Sequence, residues 1–363
     1  MAPIVPTGRT GLAGLLPAAL DAVAGRPNAL RLPQRRGVVL LLVDGLGSEA
    51  LAARAGHARV LSGAPRIDTG VPTTTAAALT TLATGRPPGE HGVVGYTALD
   101  PERDRVVNQL RGFDQDLPDD WQRSGTVFER AAEEGMPAFA VGPRHYAGSG
   151  FTRQVLRGAR YVGARTMEDR LTAAVDATAD GGIAYCYVPE LDVAAHRDGW
   201  RSGAWTDALE TLDGALSTAL AGLRRGRTLL VTADHGILDV PEQAHVVLED
   251  VPGLLDGVRH LAGEPRLLHV HLQPDADPGA HADRWRDALG ARAQVLTRAE
   301  AVEAGWFGPV DPVVAPRIGD LLVAASGRTA CYRAADDPGR GMVGQHGSWT
   351  PAERFVPLAR FDG

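Results

Sequence analysis

The stretch GVVLLLVDG, residues 37–45, holds six apolar residues in a row, three of them valine, and ends in Asp44 and Gly45. A short continuous apolar run of this kind is typical of a strand that is buried on both faces of a parallel sheet. Similar runs recur at residues 138–142, 183–190 and 228–236. Helical patterns separate the runs: SEALAARA, AAALTTLAT, SGTVFERAAEEG, MEDRLTAAVDA and TDALETLDGALSTALAGLRR. The alternation predicts an α/β fold with a doubly wound, mostly parallel central sheet flanked by helices.

Two regions depart from the alternation, and we expect them to be insertions in a single domain that spans residues 1–363. Residues 94–125 are polar and resemble a loop. Residues 241–340 contain a second set of patterns, in which RLLHVHLQP and IGDLLVAAS predict strands and HADRWRDALG predicts a helix. The second insertion is expected to form a small cap or α+β subdomain beside the main sheet.

The charge composition excludes several classes of function. The chain has 363 residues and a formal net charge of −7, which argues against a basic platform for nucleic acid. It contains no lysine, so all 37 cationic side chains are arginine. A lysine-containing phosphate-binding loop, a Schiff-base mechanism and a lysine general base are therefore excluded.

The cysteines and the apolar segments bear on location. Cys186 and Cys331 form no CxxC pair and are expected to be buried thiols in a reducing compartment. The first 25 residues predict a short helix and lack the pattern of a signal peptide. No uncharged apolar run reaches the length of a membrane span. We therefore expect a cytoplasmic protein with no membrane contact; the sequence gives no indication of its oligomeric state.

Carboxylate and imidazole side chains follow the predicted strands or lie in glycine-rich loops, where open α/β sheets bind ligands. They are Asp44, Asp192, His196, Asp234, His235 and His346. Taken singly, each has an ordinary explanation, such as a helix cap for Asp44 or a surface pair for Asp192 and His196. Together they suit a site for two divalent cations, with Zn²⁺ as the first choice and Mn²⁺ as the second.

The segment VPTTTAAALTTLATG, residues 71–85, places three threonines before a helical pattern that ends at Gly85. One of Thr73, Thr74 and Thr75 is expected to be the N-cap. A helix N-terminus also attracts phosphate, and a hydroxyl beside a divalent cation can act as a nucleophile. The two roles are compatible.

The sequence resembles the alkaline phosphatase superfamily and, within it, the nucleotide pyrophosphatase/phosphodiesterase family. The matching segments occur in the family's order between about residues 38 and 349: VVLLLVDGLG, VPTTTAAALTTLATGRPPGEHGVVGY, YVPELDVAAH, LLVTADHG and GQHGSW. The resemblance implies an alkaline phosphatase-like fold and a metal-dependent phosphodiesterase or nucleotide pyrophosphatase. Its substrate would be a small phosphorylated molecule, with a nucleotide as one candidate.

The resemblance also implies roles for individual residues. Thr75 would be the nucleophile and form a covalent phospho-threonine, while His91 would be structural. Two groups would each hold one ion: Asp192, His196 and His346 in the first, and Asp44, Asp234 and His235 in the second, with Thr75 beside it. The two ions would stabilise the attacking and leaving oxygens, after which water would hydrolyse the intermediate.

The chain departs from the family's pattern in two segments. Tyr96 replaces an asparagine that contacts a phosphate oxygen, so Tyr96 is the candidate substrate-binding residue, and Asn108 is a second group that could reach the site. Residues 76–78 are alanines in place of an FPN sequence beside the leaving group. A phosphomonoesterase or a phosphonate (C–P) hydrolase on the same core is therefore an alternative.

A monoesterase would need a cationic clamp, for which the candidates are Arg66, Arg86, Arg153 and Arg197. From another class, a non-catalytic relative that binds a phosphoryl ligand is an alternative, although every ligand and the nucleophile are present. Sulfatases are disfavoured because no C/S-x-P-x-R sequence occurs. A dinucleotide-dependent dehydrogenase fits poorly, since DGLGSE is not GxGxxG.

Overall fold

The computed structural model describes residues 11–363 of the chain. Its strands, in chain order, are β1 (Gly37–Val43), β2 (Arg66–Asp68), β3 (Thr97–Asp100), β4 (Arg105–Asn108), β5 (Ala138–Pro143), β6 (Arg160–Ala164), β7 (Gly182–Val188), β8 (Arg227–Thr232), β9 (Leu238–Asp239), β10 (His245–Val247), β11 (Val258–Glu264), β12 (Leu267–Leu272), β13 (Ala293–Thr297), β14 (Leu321–Ala325), β15 (Ala330–Tyr332), β16 (Gly344–Gln345), β17 (Phe355–Pro357) and β18 (Ala359–Asp362).

The α-helices, in chain order, are α1 (Leu15–Val23), α2 (Ser48–Ala53), α3 (Thr75–Thr84), α4 (Pro88–His91), α5 (Val127–Glu133), α6 (Gly150–Val155), α7 (Met167–Ala177), α8 (Glu190–Asp198), α9 (Gly203–Ala221), α10 (Pro278–Leu289), α11 (Arg298–Glu303) and α12 (Pro351–Arg354). The helix predicted for the first 25 residues is thus α1, and residues 1–10 lie outside the described residues.

The central sheet has the strand order β18-β8-β1-β7-β5-β6. Its strands are parallel except for β18, which pairs antiparallel with β8. Every residue of β1 is buried because both faces of the sheet are covered by helices. Successive side chains of β1 point to opposite faces, so Leu40 packs in the core with α1 and α3, and Leu41 packs in the core with α7 and α9. The predicted fold class is therefore confirmed.

A second, antiparallel sheet lies within residues 241–340 and has the order β11-β12-β14-β13. It has its own core, in which α10 places the fully buried Trp285. Residues 94–125 contain the hairpin β3–β4. The hairpin is attached to the second sheet, because the Thr97 hydroxyl donates a hydrogen bond of 2.9 Å to the Gly263 carbonyl. The division into one domain with two insertions stays a prediction.

The two cysteines lie in different sheets. Cys186 is on β7 and Cys331 is on β15, and both are free, buried thiols. Among residues 11–363, none of the helices has both the length and the apolar character that a membrane span requires.

Candidate metal centre

The carboxyl end of the central sheet brings together acidic and imidazole side chains that are far apart in the sequence. Asp44 follows β1, and Asp234 with His235 follows the neighbouring β8. The parallel register pairs Val43 with Val188, so β7 ends beside β1 and leads into α8, which carries Asp192 and His196. The order of the strands thus explains why these residues meet at one edge.

The first group consists of Asp44, Asp234 and His235, all of them buried. Nε2 of His235 lies 3.4 Å from Oδ1 of Asp44 and 3.4 Å from Oδ2 of Asp234. The other oxygen of Asp234 accepts hydrogen bonds from the main-chain N–H groups of Gly45 and His235, at 3.2 and 3.0 Å. Those bonds orient the carboxylate so that Oδ2 faces the imidazole.

On the other side, ligand atoms of Asp192, His235 and His346 lie within 4.8 Å of one another, so His235 borders both groups. The sequence predicted His196 in this second group with Asp192 and His346, and His196 lies next to both of them. Nε2 of His196 lies 3.2 Å from Oδ2 of Asp192 and 3.3 Å from Nε2 of His346. Nε2 of His346 lies 3.9 Å from Oδ1 of Asp192. The two groups are contiguous, because the rings of His235 and His346 stack with their centroids 3.7 Å apart.

The hydrogen bonds of the three histidines define their tautomers. Nδ1 of His196 contacts the Gly344 carbonyl at 2.8 Å, and Nδ1 of His346 contacts the Thr73 carbonyl at 2.8 Å. Nδ1 of His235 contacts the carbonyl of Gly236 at 3.2 Å. A carbonyl only accepts, so each Nδ1 is the donor in its contact, and each Nε2 is directed at the site. Metal-binding histidines are held by this same arrangement of a second nitrogen bonded to a carbonyl.

The carboxylates have free ligand atoms. Oδ1 of Asp44, Oδ1 of Asp192 and Oδ2 of Asp234 are buried and have no hydrogen-bond partner within the part of the chain that the structure describes. Burial, together with the charges of Asp234 and Asp192, raises the pKa of Asp44 well above its usual range. Burial also raises the pKa of Asp234. Divalent cations would replace this repulsion with attraction, so the donor set fits a metal centre of nitrogen and oxygen ligands.

Thr75 is the first residue of α3, and its N-cap is Thr74, whose side chain makes no capping hydrogen bond. The N–H groups of the first helical turn therefore point to the site without a side-chain acceptor from Thr74. The hydroxyl of Thr75 lies 3.1 Å from Nε2 of His235, to which it can donate. The proposed nucleophile thus lies at the N-terminus of a helix and next to the candidate metal ligands. At the other end of α3, Gly85 adopts the left-handed conformation, with φ of 68°.

Tyr187 and Tyr185 are site residues that the sequence analysis did not identify. The hydroxyl of Tyr187 donates a short hydrogen bond to Oδ2 of Asp44. The Tyr185 hydroxyl is buried nearby without a hydrogen-bond partner among residues 11–363. The alternation Tyr185-Cys186-Tyr187 on β7 was the available signal, since it places both phenols on the same face of a strand beside β1.

Three further residues that the sequence singled out, Tyr96, Asn108 and His91, belong to neither ligand group. Tyr96 is half-buried in the segment between α4 and β3, and its main-chain N–H is directed at the Glu264 carboxyl. Asn108 uses its side-chain oxygen to accept from the main-chain N–H groups of Leu110 and Arg111. His91 is fully buried and its Nε2 lies 2.9 Å from the Thr81 hydroxyl, which agrees with a structural role.

The four arginines proposed as a cationic clamp make contacts outside the two ligand groups. Arg86, Arg153 and Arg197 pair with Glu90, Asp114 and Asp198, and their side chains are 61%, 55% and 67% exposed. Arg66 stacks over the ring of Phe355 at 4.5 Å.

The chain is similar to a known protein family and to several solved structures. A sequence profile of the type I phosphodiesterase / nucleotide pyrophosphatase family matches residues 38–349. The curated proteins include no match to the sequence. A solved structure of murine ectonucleotide pyrophosphatase/phosphodiesterase 5 is similar, with a TM-score of 0.70 and 17% identity over 90% of this chain and 88% of that chain.

Two further solved structures are similar. One is an inactive threonine-to-alanine variant of the same murine protein in complex with AMP (TM-score 0.69, 17% identity, 88% of this chain and 87% of that chain). The other is phosphonoacetate hydrolase from Sinorhizobium meliloti 1021 in complex with phosphonoformate (TM-score 0.69, 18% identity, 90% of each chain). At these identities the similarity concerns the fold.

Proposed function

The chain belongs to the type I phosphodiesterase / nucleotide pyrophosphatase family, and on that premise we propose that it is a phosphoester hydrolase acting through a covalent phospho-threonine at Thr75. The observation that carries the proposal is the convergence of the Thr75 hydroxyl, three imidazole Nε2 atoms and three buried carboxylates at the N-terminus of α3. The bond between the phosphoryl group and its leaving oxygen would break as the Thr75 oxygen bonds to phosphorus. Water would then hydrolyse the threonine ester.

Two divalent cations complete the proposed site. Asp192, His196 and His346 would hold one of them, and Asp44, Asp234 and His235 would hold the other, next to Thr75. The mixed nitrogen and oxygen donors favour Zn²⁺, with Mn²⁺ as the second choice. When bound, the cations supply Lewis acidity, which lowers the pKa of the nucleophile and offsets the charge of the phosphoryl group.

The protein contributes orientation and charge of its own. The free N–H groups at the start of α3 would bind the phosphoryl oxygens. The hydroxyl of Tyr96 would donate to a phosphoryl oxygen from the neighbouring loop. The AMP complex of a structurally similar protein supports a small nucleotide-type substrate.

A diester is favoured over a monoester by the placement of the arginines. A monoester carries an additional negative charge and benefits from a cationic clamp. Arg86, Arg153 and Arg197 instead form exposed surface pairs with carboxylates. The alternative of phosphonate hydrolysis is kept as an outcome of the test, because one similar fold belongs to a phosphonoacetate hydrolase.

The test compares three substrates: bis-p-nitrophenyl phosphate, p-nitrophenyl phosphate and phosphonoacetate, with protein loaded with Zn²⁺ or Mn²⁺. Thr75→Ala should reduce turnover of the preferred substrate by at least about 10³-fold, because it removes the nucleophile. Its metal content should equal that of the wild type. Thr84→Ala is the matched control, since the Thr84 hydroxyl is bonded to the Thr80 carbonyl within the same helix.

The outcomes are distinct. The proposed activity is supported if the protein prefers the diester and if Thr75→Ala loses this activity while Thr84→Ala keeps it. Preference for the monoester or for phosphonoacetate reassigns the substrate class on the same machinery. Turnover of Thr75→Ala at the wild-type rate would exclude Thr75 as the nucleophile, and no turnover of any phosphoryl compound would favour a binding protein.

A further inference from the structure

A buried carboxyl group of the second sheet lies beside Thr74, the residue that precedes the proposed nucleophile. Glu264 is the last residue of β11, its residue exposure is 8%, and neither of its carboxyl oxygens has a partner at hydrogen-bond geometry among residues 11–363. A buried position is usually occupied by an apolar side chain, so a buried carboxyl group without a hydrogen-bond partner requires an explanation.

The surroundings of Glu264 are three loops of the site. The side chain of Thr74, which precedes the nucleophile, and the main-chain N–H of Tyr96 are its polar neighbours. Its methylene groups cover Gly347, where a Cβ would lie only 2.4 Å from Cγ of Glu264. Gly347 has φ of 133°, and it follows His346 directly. A larger residue at position 347 would displace the Glu264 side chain, so the glycine and the glutamate fit each other.

We propose that Glu264 is a positioning residue for the nucleophile: its side chain fills the space between the segment before Thr75, the Tyr96 loop and the glycine after His346. The inference rests on the proposed function and adds a residue that belongs to neither metal group. A neutral carboxyl group suits this role, because its carbonyl oxygen can accept from the Tyr96 N–H while its O–H donates to the Thr74 hydroxyl.

The electrostatics of the pocket support a neutral carboxyl group. Burial raises the pKa of Glu264 to about 8, against the opposing effects of Thr74 and the Tyr96 N–H. The other charged group that acts on it is Glu353, which is paired with Arg266. His269, whose pKa burial lowers to about 3, lies against the preceding residue, Gly263. A neutral group also avoids adding negative charge next to a phosphorylated threonine.

The experiment compares three substitutions in the full-length, metal-loaded protein with bis-p-nitrophenyl phosphate. Glu264→Gln keeps one donor and one acceptor at the same reach and should retain most of the wild-type kcat. Glu264→Ala, which removes both, should lower kcat by about 10²-fold with little change in KM, because the nucleophile loses its fixed position. Glu264→Asp keeps the carboxyl group on a shorter side chain and should also lose activity. If the alanine variant does not fold, the aspartate variant tests the proposal in its place.

Further readouts separate positioning from general stability. The metal content of every folded variant should match the wild type, since no ligand is changed. The ratio of kcat for Glu264→Gln to that of the wild type should rise as the pH passes about 8, because only the wild type can ionise at this position. Equal kcat in the Gln, Asp and Ala variants would overturn the inference. Failure of the proposed function would be recognised separately, by an inactive wild type or an active Thr75→Ala.

Discussion

At the scale of single residues, the site depends on partners that lie behind the ligands. The imidazoles of His196 and His346 are oriented by carbonyls that accept from Nδ1, so each ring has one orientation and one tautomer. Asp44 is held differently, by the phenol of Tyr187 on the adjacent strand. A hydrogen bond to the carboxylate form stabilises the charge that a metal requires.

Removal of this phenol hydroxyl gives a prediction about metal affinity. Tyr187→Phe should weaken metal binding by about 10- to 100-fold, because Asp44 loses the donor that orients it. The measurement is a titration with Zn²⁺ or Mn²⁺ followed by calorimetry. Tyr185→Phe is the control: it removes a hydroxyl that has no hydrogen-bond partner in the described residues, and it should bind metal as the wild type does. Equal affinities of the two variants would mean that Tyr187 has no such role.

At the scale of secondary-structure elements, the hairpin β11–β12 joins the second sheet to the segments that follow His235 and His346. Arg266, in the turn of this hairpin, is fully buried and bonds Glu353 at 2.6 and 2.8 Å through two nitrogens. Glu353 in turn accepts from the N–H of Ser348 with its side chain and from the N–H of Gly236 with its carbonyl. One ion pair therefore supports the segments that follow both His346 and His235.

Breaking this ion pair should destabilise the whole fold. Arg266→Met leaves the Glu353 carboxylate buried without its partner, and we expect a loss of about 3–5 kcal/mol in the free energy of unfolding. Urea denaturation measures this loss. Arg333→Ala is a control on an exposed pair with Glu249, and it should cost about 0–1 kcal/mol. A loss for Arg266→Met no larger than that of the control would contradict the argument.

The elements differ in how well the sequence predicts them. β1 and β8 were predictable because a strand with both faces buried contains a continuous apolar run, which is residues 38–43 in β1 and residues 229–231 in β8. The proximity of the six metal-ligand candidates was predictable because each follows such a strand or lies in a short glycine-containing motif; their role as ligands stays a prediction. Glu264 and Arg266 were not, because their significance depends on how the inserted sheet docks against the loops around Thr74 and Ser348. No local pattern in an inserted segment encodes such a long-range contact.

At the scale of the whole molecule, the candidate metal centre brings together parts of the chain that are distant in sequence. Asp44, Asp192, Asp234 and His346 come from four separate segments and meet only in the folded state. Burial and the charges of Asp234 and Asp192 raise the pKa of Asp44, so an ionised Asp44 at this position opposes folding. Ions that bind only the folded state would add their binding free energy to its stability.

Removal of metal should therefore lower the melting temperature. A chelator in excess, with removal verified by elemental analysis, should lower the Tm of the wild type, and added Zn²⁺ should restore it. Asp234→Asn should lose metal and activity, and its Tm should respond less to the chelator. An unchanged Tm of the wild type after verified removal would show that folding and metal binding are independent.

The attachment of the inserted sheet has a consequence for protein engineering. A segment of this type can be exchanged between related proteins as a cassette, in order to transfer substrate preference. Here a cassette covering residues 241–340 would carry Glu264 and Arg266 away from their counterparts at Gly347 and Glu353. A recipient without a glycine and a glutamate at the equivalent places would receive a clash and an unpaired buried cation, so a functional chimera must exchange the last 20 residues or so together with the cassette.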